Sequence, residues 1–227
     1  MLAWAAGAWL AATISPVLVF RVMPVPTSAY MLEQRIAWLR AGEPHPPLRQ
    51  HWVPLERISP QLQLAVIASE DQKFPYHHGF DVDAIRDALR YNARHRKTRG
   101  ASTISQQTAR NLFLWPARTW VRKGLEVYFT VLLETLWPKQ RILAVYLNIA
   151  QFGDGIYGAE AAARAWFDTS AAALTAQQAA QLAAVLPAPK RLHAGQPSAY
   201  VLERAAAIRE QMANLGPGYL PPTSLHY

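Results

Sequence analysis

The chain has 227 residues and no cysteine, which rules out disulfides and thiolate metal sites. Hydrophobic residues make up 51%, enough for a membrane segment and one domain of roughly 170 residues with a sizeable core. Lys+Arg outnumber Asp+Glu by 23 to 15, and the net charge of +8 is concentrated at 86–123, where Asp87 is the only acid among ten cations. Such a concentration implies an anionic partner: nucleic acid, anionic lipid or a phosphorylated substrate.

Residues 1–20 carry no charged side chain, and Arg21 is the first cation. Twenty residues span a hydrocarbon core of about 30 Å as a helix, so 1–23 is expected to be a transmembrane anchor. The alternative is a cleaved signal peptide. Against it, no basic stretch precedes the run, and Val22-Met23-Pro24-Val25-Pro26 is a poor small-residue cleavage site. Residues 24–51 read as a neck and linker. Leu32, Ile36 and Leu39 give a short amphipathic helix over 27–41, and a Pro-rich stretch follows at 42–51.

From residue 52 the pattern is helical. Ser59-Pro60 is an N-cap with Pro at the first helical position, and the helix it starts delivers Glu70 near its end. Asp81 caps a helix over about 82–96. Ser102 or Thr103 caps one over about 104–113. A long helix over about 119–136 stops at Pro138, and another covers about 138–149. Gly153, Gly155 and Gly158 break the chain. Ala-rich helices are expected over about 157–167 and, after Thr175, 176–186. The last runs over about 198–214, and 216–227 reads as a tail. No period-2 alternation stands out, so the fold is expected to be all-α.

Four constellations carry chemistry. The first is Glu70-Asp71 at the end of an apolar run, followed by Phe74, His77, His78 and Gly79. A carboxylate among apolar and aromatic groups has its charged form disfavoured, which suits it to acid or base work near neutral pH. The plain alternative for Glu70 is a helix-end acid that accepts hydrogen bonds from nearby amides. The second is Gly100-Ala101-Ser102-Thr103 with Gln106 and Gln107, a hydrogen-bonding set suited to sugars, amides or a phosphate at a helix start. An ordinary capped helix explains it equally. The run Arg94–Arg99 before it reads as a cationic loop.

The third constellation is Arg118, Arg122, Lys123 and Glu126. Arg122 and Glu126 share a helix face at i and i+4. A surface ion pair would contribute only about 0.5 kcal/mol. Set in a strongly apolar helix, Glu126 is instead placed for electrostatics toward a bound cation or a diphosphate. Glu134 reads as structural. The fourth is Lys139–Asn148, read mainly as core scaffolding. His77 and His78 do not form a metal site, since no third ligand has suitable spacing.

The ordered strings SEDQKFPYHHGFD at 69–81, GASTISQQTARNLFL at 100–114, RKGLE at 122–126, KQRILAVYLN at 139–148 and FGDGIYGAEAAARAWF at 152–167 resemble the domain that polymerises peptidoglycan from lipid II. The resemblance covers about 52–215. It is to the monofunctional biosynthetic transglycosylases of Gram-negative bacteria, a lysozyme-like glycosyltransferase family (family 51). It implies an all-α, lysozyme-like lobe with a membrane-associated jaw, preceded by one transmembrane helix. It implies a single-pass protein of the inner membrane with the catalytic domain facing the periplasm.

By position, the resemblance implies that Glu70 is the general base and Glu126 the second essential carboxylate. It assigns substrate binding to Asp71, Phe74, His77, Ser102, Thr103, Gln106, Gln107, Arg110, Arg118, Arg122 and Lys123. It implies Mg²⁺ or Mn²⁺ near Glu126, no organic cofactor, and lipid II and lipid-linked glycan as partners. Penicillin-binding proteins and division proteins are expected partners by the same analogy. Arg110 stands where many relatives carry Lys, which changes the shape of any phosphate contact. Ala144 stands where many relatives carry Glu, so no catalytic role is assigned there.

Three rival readings remain. A lysozyme-like hydrolase would use a raised-pKa acid with a second carboxylate nearby, but leaves the cations unexplained. A non-catalytic scaffold that binds lipid II would have no need of Glu70 and Glu126. A nucleic-acid reader lacks any basic-aromatic motif and conflicts with an anchor.

Overall fold

The computed structural model describes residues 2–42, 45–95, 100–117 and 119–220. Helix α1 (Leu2–Val22) leads into α2 (Ala29–Ala41), which Ser28 caps by accepting from the Met31 amide. Then come α3 (Pro60–Glu70), α4 (Val82–Asn92), α5 (Ile104–Phe113), α6 (Trp120–Leu136) and α7 (Lys139–Ile149). The chain closes with α8 (Ala159–Phe167), α9 (Ala176–Val185) and α10 (Ala199–Leu215).

The caps dictate where these helices start. Asp81 accepts from the Ala84 amide at 2.9 Å. Thr103 with Gln106, and Thr175 with Gln178, each form a reciprocal capping box that satisfies orphan amides. Of the two candidates at 102–103, Thr103 is the cap. Helix α4 ends at Asn92, earlier than the expected 96, and residues 96–99 of the cationic run lie outside the described residues.

Two helices form the centre. Every residue from Leu62 to Ala68 of α3 is buried, and so is every residue from Arg141 to Ile149 of α7. A helix apolar on all sides is a core helix, and here α9 and α10 pack on α3 while α5, α6 and α8 flank α7. Ala144 is part of this core.

The all-α expectation needs one correction. A small sheet is present, with β1 (Arg49–Gln50), β2 (Gln151–Gly153) and β3 (Ile156–Tyr157) in the order β1-β3-β2. Strands of two or three residues are too short to show alternation, so periodicity could not reveal them. Asn148 ties the segment after β1 to α7. Its side chain accepts from the Val53 amide and donates to the Val53 carbonyl, both at 2.9 Å, and also donates to Ala144 O at 2.8 Å. Gly158 must pass beside it: at φ +82, an added Cβ would stand 2.7 Å from Asn148 O.

The expected anchor is the helix α1, and its C-terminal half lies against the domain, with Val17 fully buried. Among the described residues no helix is long and apolar enough to cross a membrane.

Asn148→Ala would leave both half-buried Val53 backbone groups without their partner, at a cost of about 2 kcal/mol. Urea denaturation should read that loss, and a loss below about 1 kcal/mol would mean that water replaces the amide fully.

Candidate active site

A cavity of about 1020 Å³ opens where the end of α3 meets α4, the start of α5 and α10. Six of the expected catalytic and substrate-binding residues line it: Glu70, Asp71, Ser102, Thr103, Gln107 and Arg110. Arg204 and Gln211 of α10 complete one wall, and Asp83 and Asp87 of α4 face the opening.

Glu70 is the last residue of α3, and this apolar helix carries it, half-buried, to the cavity wall. Burial raises its pKa above the ordinary carboxylate value. The hydrogen bond from Gln107 Nε2 to Glu70 Oε2, at 2.9 Å, opposes this, as do the positive charges of Arg204 and Arg110. Burial is the largest of these effects and sets the direction. The Tyr146 hydroxyl donates to Gln107 Oε1 at 3.3 Å and so fixes the amide with its NH₂ toward Glu70. Tyr146 itself is buried, which pushes its own pKa well up and keeps it a neutral donor.

Asp71 is the joint of the site. Its Oδ2 accepts from the Ile104 amide at 2.9 Å, the first amide of α5, where a negative charge also suits the helix dipole. Both its oxygens lie 2.9 Å from His77 Nε2. The Gly79 amide donates to His77 Nδ1 at 3.1 Å, so the ring proton sits on Nε2 and points at Asp71. Thr103 Oγ1 then donates to Gly79 O at 2.7 Å. This closed circuit locks the end of α3 to the start of α5 and places Gln107, one turn into α5, against Glu70.

Phe74, His77 and Gln106 do not line the cavity. Phe74 is fully buried beneath Lys139, whose Nζ lies 4.6 Å from the ring centroid. His77 braces Asp71, and the Gln106 side chain closes the capping box. These three expected substrate-binding positions thus sit beside the cavity lining and not on it.

Glu126 also lies off the cavity wall. It is buried, with Oε2 2.9 Å from Arg122 Nη1 and Oε1 against Lys123 Nζ. Glu126 is buried while Arg122 is half-buried and Lys123 partly exposed, so this is a partly buried cluster rather than a surface pair. Helix α6 joins it to the first constellation. Thr130, one turn after Glu126, approaches Gly79 so closely that an added Cβ would meet it at 2.8 Å. Glu134, one turn further on, pairs with Lys139 at 2.8 Å and accepts from Ser105, a structural role as expected. Arg118 lies outside the described residues.

The donor set near Glu126 does not fit a resident divalent cation. Both carboxylate oxygens are taken by cations, and among the described residues no three His, Asp or Glu side chains converge to hold a metal.

Sequence reasoning missed Arg204 and Tyr146. Arg204 lines the cavity, and its Nε is buried with no hydrogen-bond partner among the described residues. It sits mid-helix among alanines, far along the chain from Glu70, and no local pattern marks it. Tyr146 lay within a helix read correctly as core, and the pattern does not show that its hydroxyl reaches Gln107.

A hydrogen bond donated to an ionised carboxylate lowers its pKa, so Gln107→Leu should raise the Glu70 titration midpoint further. Carboxyl ¹³C NMR can follow it, and an unchanged or lower midpoint would refute the assigned role of Gln107.

Comparison with known proteins bears directly on this arrangement. A family model described as transglycosylase matches residues 40–213. The chain is 55% identical over 214 residues to the biosynthetic peptidoglycan transglycosylase of Pseudomonas entomophila (strain L48), covering 93% of this chain and 90% of that protein. It is 52% identical over 211 residues to that of Xanthomonas campestris pv. campestris (strain B100), covering 92% and 86%. To that of Pasteurella multocida (strain Pm70) it is 53% identical over 207 residues, covering 91% and 84%. The matched region runs through α3, α5, α6 and α10, the helices that supply Glu70, Gln107, Glu126 and Arg204, and by this match the chain belongs to the transglycosylase family.

Proposed function

We propose that the Glu70 cavity is where glycan strands are extended. The chain is a peptidoglycan glycosyltransferase that polymerises lipid II in cell-wall biogenesis. In our reading the donor is a growing strand linked through its MurNAc C1 to undecaprenyl diphosphate. The 4-hydroxyl of the GlcNAc of lipid II attacks that carbon. A C1–O4 bond forms, the C1–O bond to the diphosphate breaks with its electron pair, and the hydroxyl proton passes to Glu70. Attack opposite the leaving group inverts C1 and gives a β-1,4 linkage.

One observation carries this reading. Glu70 is a carboxyl with a raised pKa, held by a donor amide and faced by two arginines in a cavity large enough for sugars. A base in that state takes a proton more readily than an ordinary surface carboxylate near neutral pH. In this reading Arg110, Arg118, Arg122 and Lys123 supply positive charge for the departing diphosphate. Glu126 acts by holding Arg122 and Lys123 together. Asp71, Phe74, His77 and Gln106 hold the base and the helix start, while Ser102, Thr103 and Gln107 offer polar groups to the sugars. Both Glu126 oxygens are held by Arg122 and Lys123, so in this reading that carboxylate orders cations of the protein and not a metal ion.

The location follows from the substrate, which is an anionic lipid of the cell envelope. We take α1 as the single membrane segment, in the inner membrane, with the lysozyme-like lobe on the periplasmic side. Trp115, Trp120, Val121, Val127 and Val131 are exposed around the start of α6 and along it, and they form the membrane-associated jaw in this reading. Penicillin-binding proteins and division proteins are natural partners for such an enzyme. A hydrolase would use the same acid but would leave Arg110 and Arg204 without a phosphate to meet.

Glu70→Gln should lower polymer yield from lipid II by roughly 10²- to 10⁴-fold. Its stability gives the control. Folding raises the Glu70 pKa, so the fold loses stability as pH climbs from the unfolded value through the folded one. At neutral pH the Gln variant should therefore melt no lower than the parent. Polymer yield within about two-fold of the parent would remove Glu70 as the base.

A further inference from the structure

Glu70 is held from a second side. The chain leaves α3 through a turn at 71–74, closed by the Phe74 amide donating to Asp71 O at 3.0 Å. Gln72 stands in that turn, and its side-chain amide fixes the turn in two directions. Nε2 donates to Ala68 O at 3.1 Å, one of the last carbonyls of α3, which have no helical amide to accept from. It also donates to Gln211 Oε1 of α10 at 3.0 Å.

The chain beyond α10 adds a third contact. Gly216, at φ +76, ends α10 and leads into a short 3₁₀ turn, Pro217–Tyr219, that packs on α3. From this turn the Tyr219 hydroxyl donates to Gln72 O. The half-buried Tyr219 ring meets Tyr76 edge-on, with centroids 5.7 Å apart. Gln72 lies two residues past Glu70. The α10 side therefore grips the same short turn that Asp71 ties to α5.

We propose that Gln72, Gln211 and Tyr219 are positioning residues that hold the last turn of α3 and so keep Glu70 against Gln107. Their effect on the rate rests on the reading of Glu70 as the base. Two observations favour positioning over general cohesion. The contacts fall on a helix-end carbonyl and on the Gln72 peptide, within two residues of Glu70, and not on the apolar core of α3. Gln72 and Gln211 line the cavity and Tyr219 does not, so loss of the Tyr219 hydroxyl acts on the site through the Gln72 peptide.

The test uses the full chain with lipid II as substrate. Tyr219→Phe removes the hydroxyl and keeps the ring, while Gln211→Leu removes the acceptor for Gln72. Tyr219→Phe should lower kcat about three- to ten-fold, the effect of one hydrogen bond, and leave KM within about two-fold of the parent. Gln211→Leu should lower kcat over the same range. In both variants amide exchange over 71–74 should accelerate. The side-chain amide NMR signal of Gln107 should also move toward its position in Glu70→Ala, which lacks the acceptor altogether. A merely cohesive role would lower the melting temperature and leave that signal in place. With Glu70→Gln inactive, an unchanged kcat in both variants, or a fall with the Gln107 signal unmoved, would overturn the proposal. If Glu70→Gln polymerises lipid II at the parent rate, the base reading fails on its own. The Gln107 signal then decides the brace: movement upholds it and an unmoved signal overturns it.

Discussion

The site depends on the carboxylate of Asp71. It meets the first amide of α5 and the ring of His77 at once, and the His77 ring in turn receives the Gly79 amide. Glu70 precedes it by one residue, so whatever fixes Asp71 fixes Glu70. Gln107 lies one turn into the helix whose first amide Asp71 accepts, so the same carboxylate also places the amide that meets Glu70. Two elements that meet far apart in sequence are thereby set to within hydrogen-bonding precision. Phe74 beneath Lys139 and the close pass of Gly79 by Thr130 carry that order through to α6.

The electrostatic design follows from competition at one carboxyl. Burial disfavours the charge on Glu70, while Gln107, Arg204 and Arg110 favour it. Burial alone would push the carboxyl further toward its protonated form. Were the cations dominant, it would be too weak a base. Glu126 stands at the other extreme, with two cations on its oxygens. It is fitted to hold charge in place rather than to move a proton. Two carboxylates essential by resemblance thus differ in environment, and the difference separates their work.

Much of this was legible in the residues. Ser59-Pro60, Asp81, Thr103 and Thr175 start helices because their side chains can accept from amides that have no other partner, a local rule that survives folding. The Glu70 constellation was legible because carboxylates are scarce and this pair ends an apolar run. What escaped was non-local. Strands β1 and β3 pair across a long stretch of chain and are too short to alternate. Arg204 reaches the cavity only because α10 packs on α3. Phe74, His77 and Gln106 lie off the cavity lining, and local pattern does not tell that placement from one on the wall. The depth of Glu126 was equally hidden, since i,i+4 spacing is the same on a wet face and a dry one.

The central claim is that Glu70 accepts the sugar proton, and the pH–rate profile of the parent chain on lipid II tests it most directly. The account predicts that kcat/KM rises along an acid limb whose midpoint coincides with the Glu70 carboxyl titration measured on the same protein, above the ordinary carboxylate range. A rate that stays flat while Glu70 titrates would contradict it.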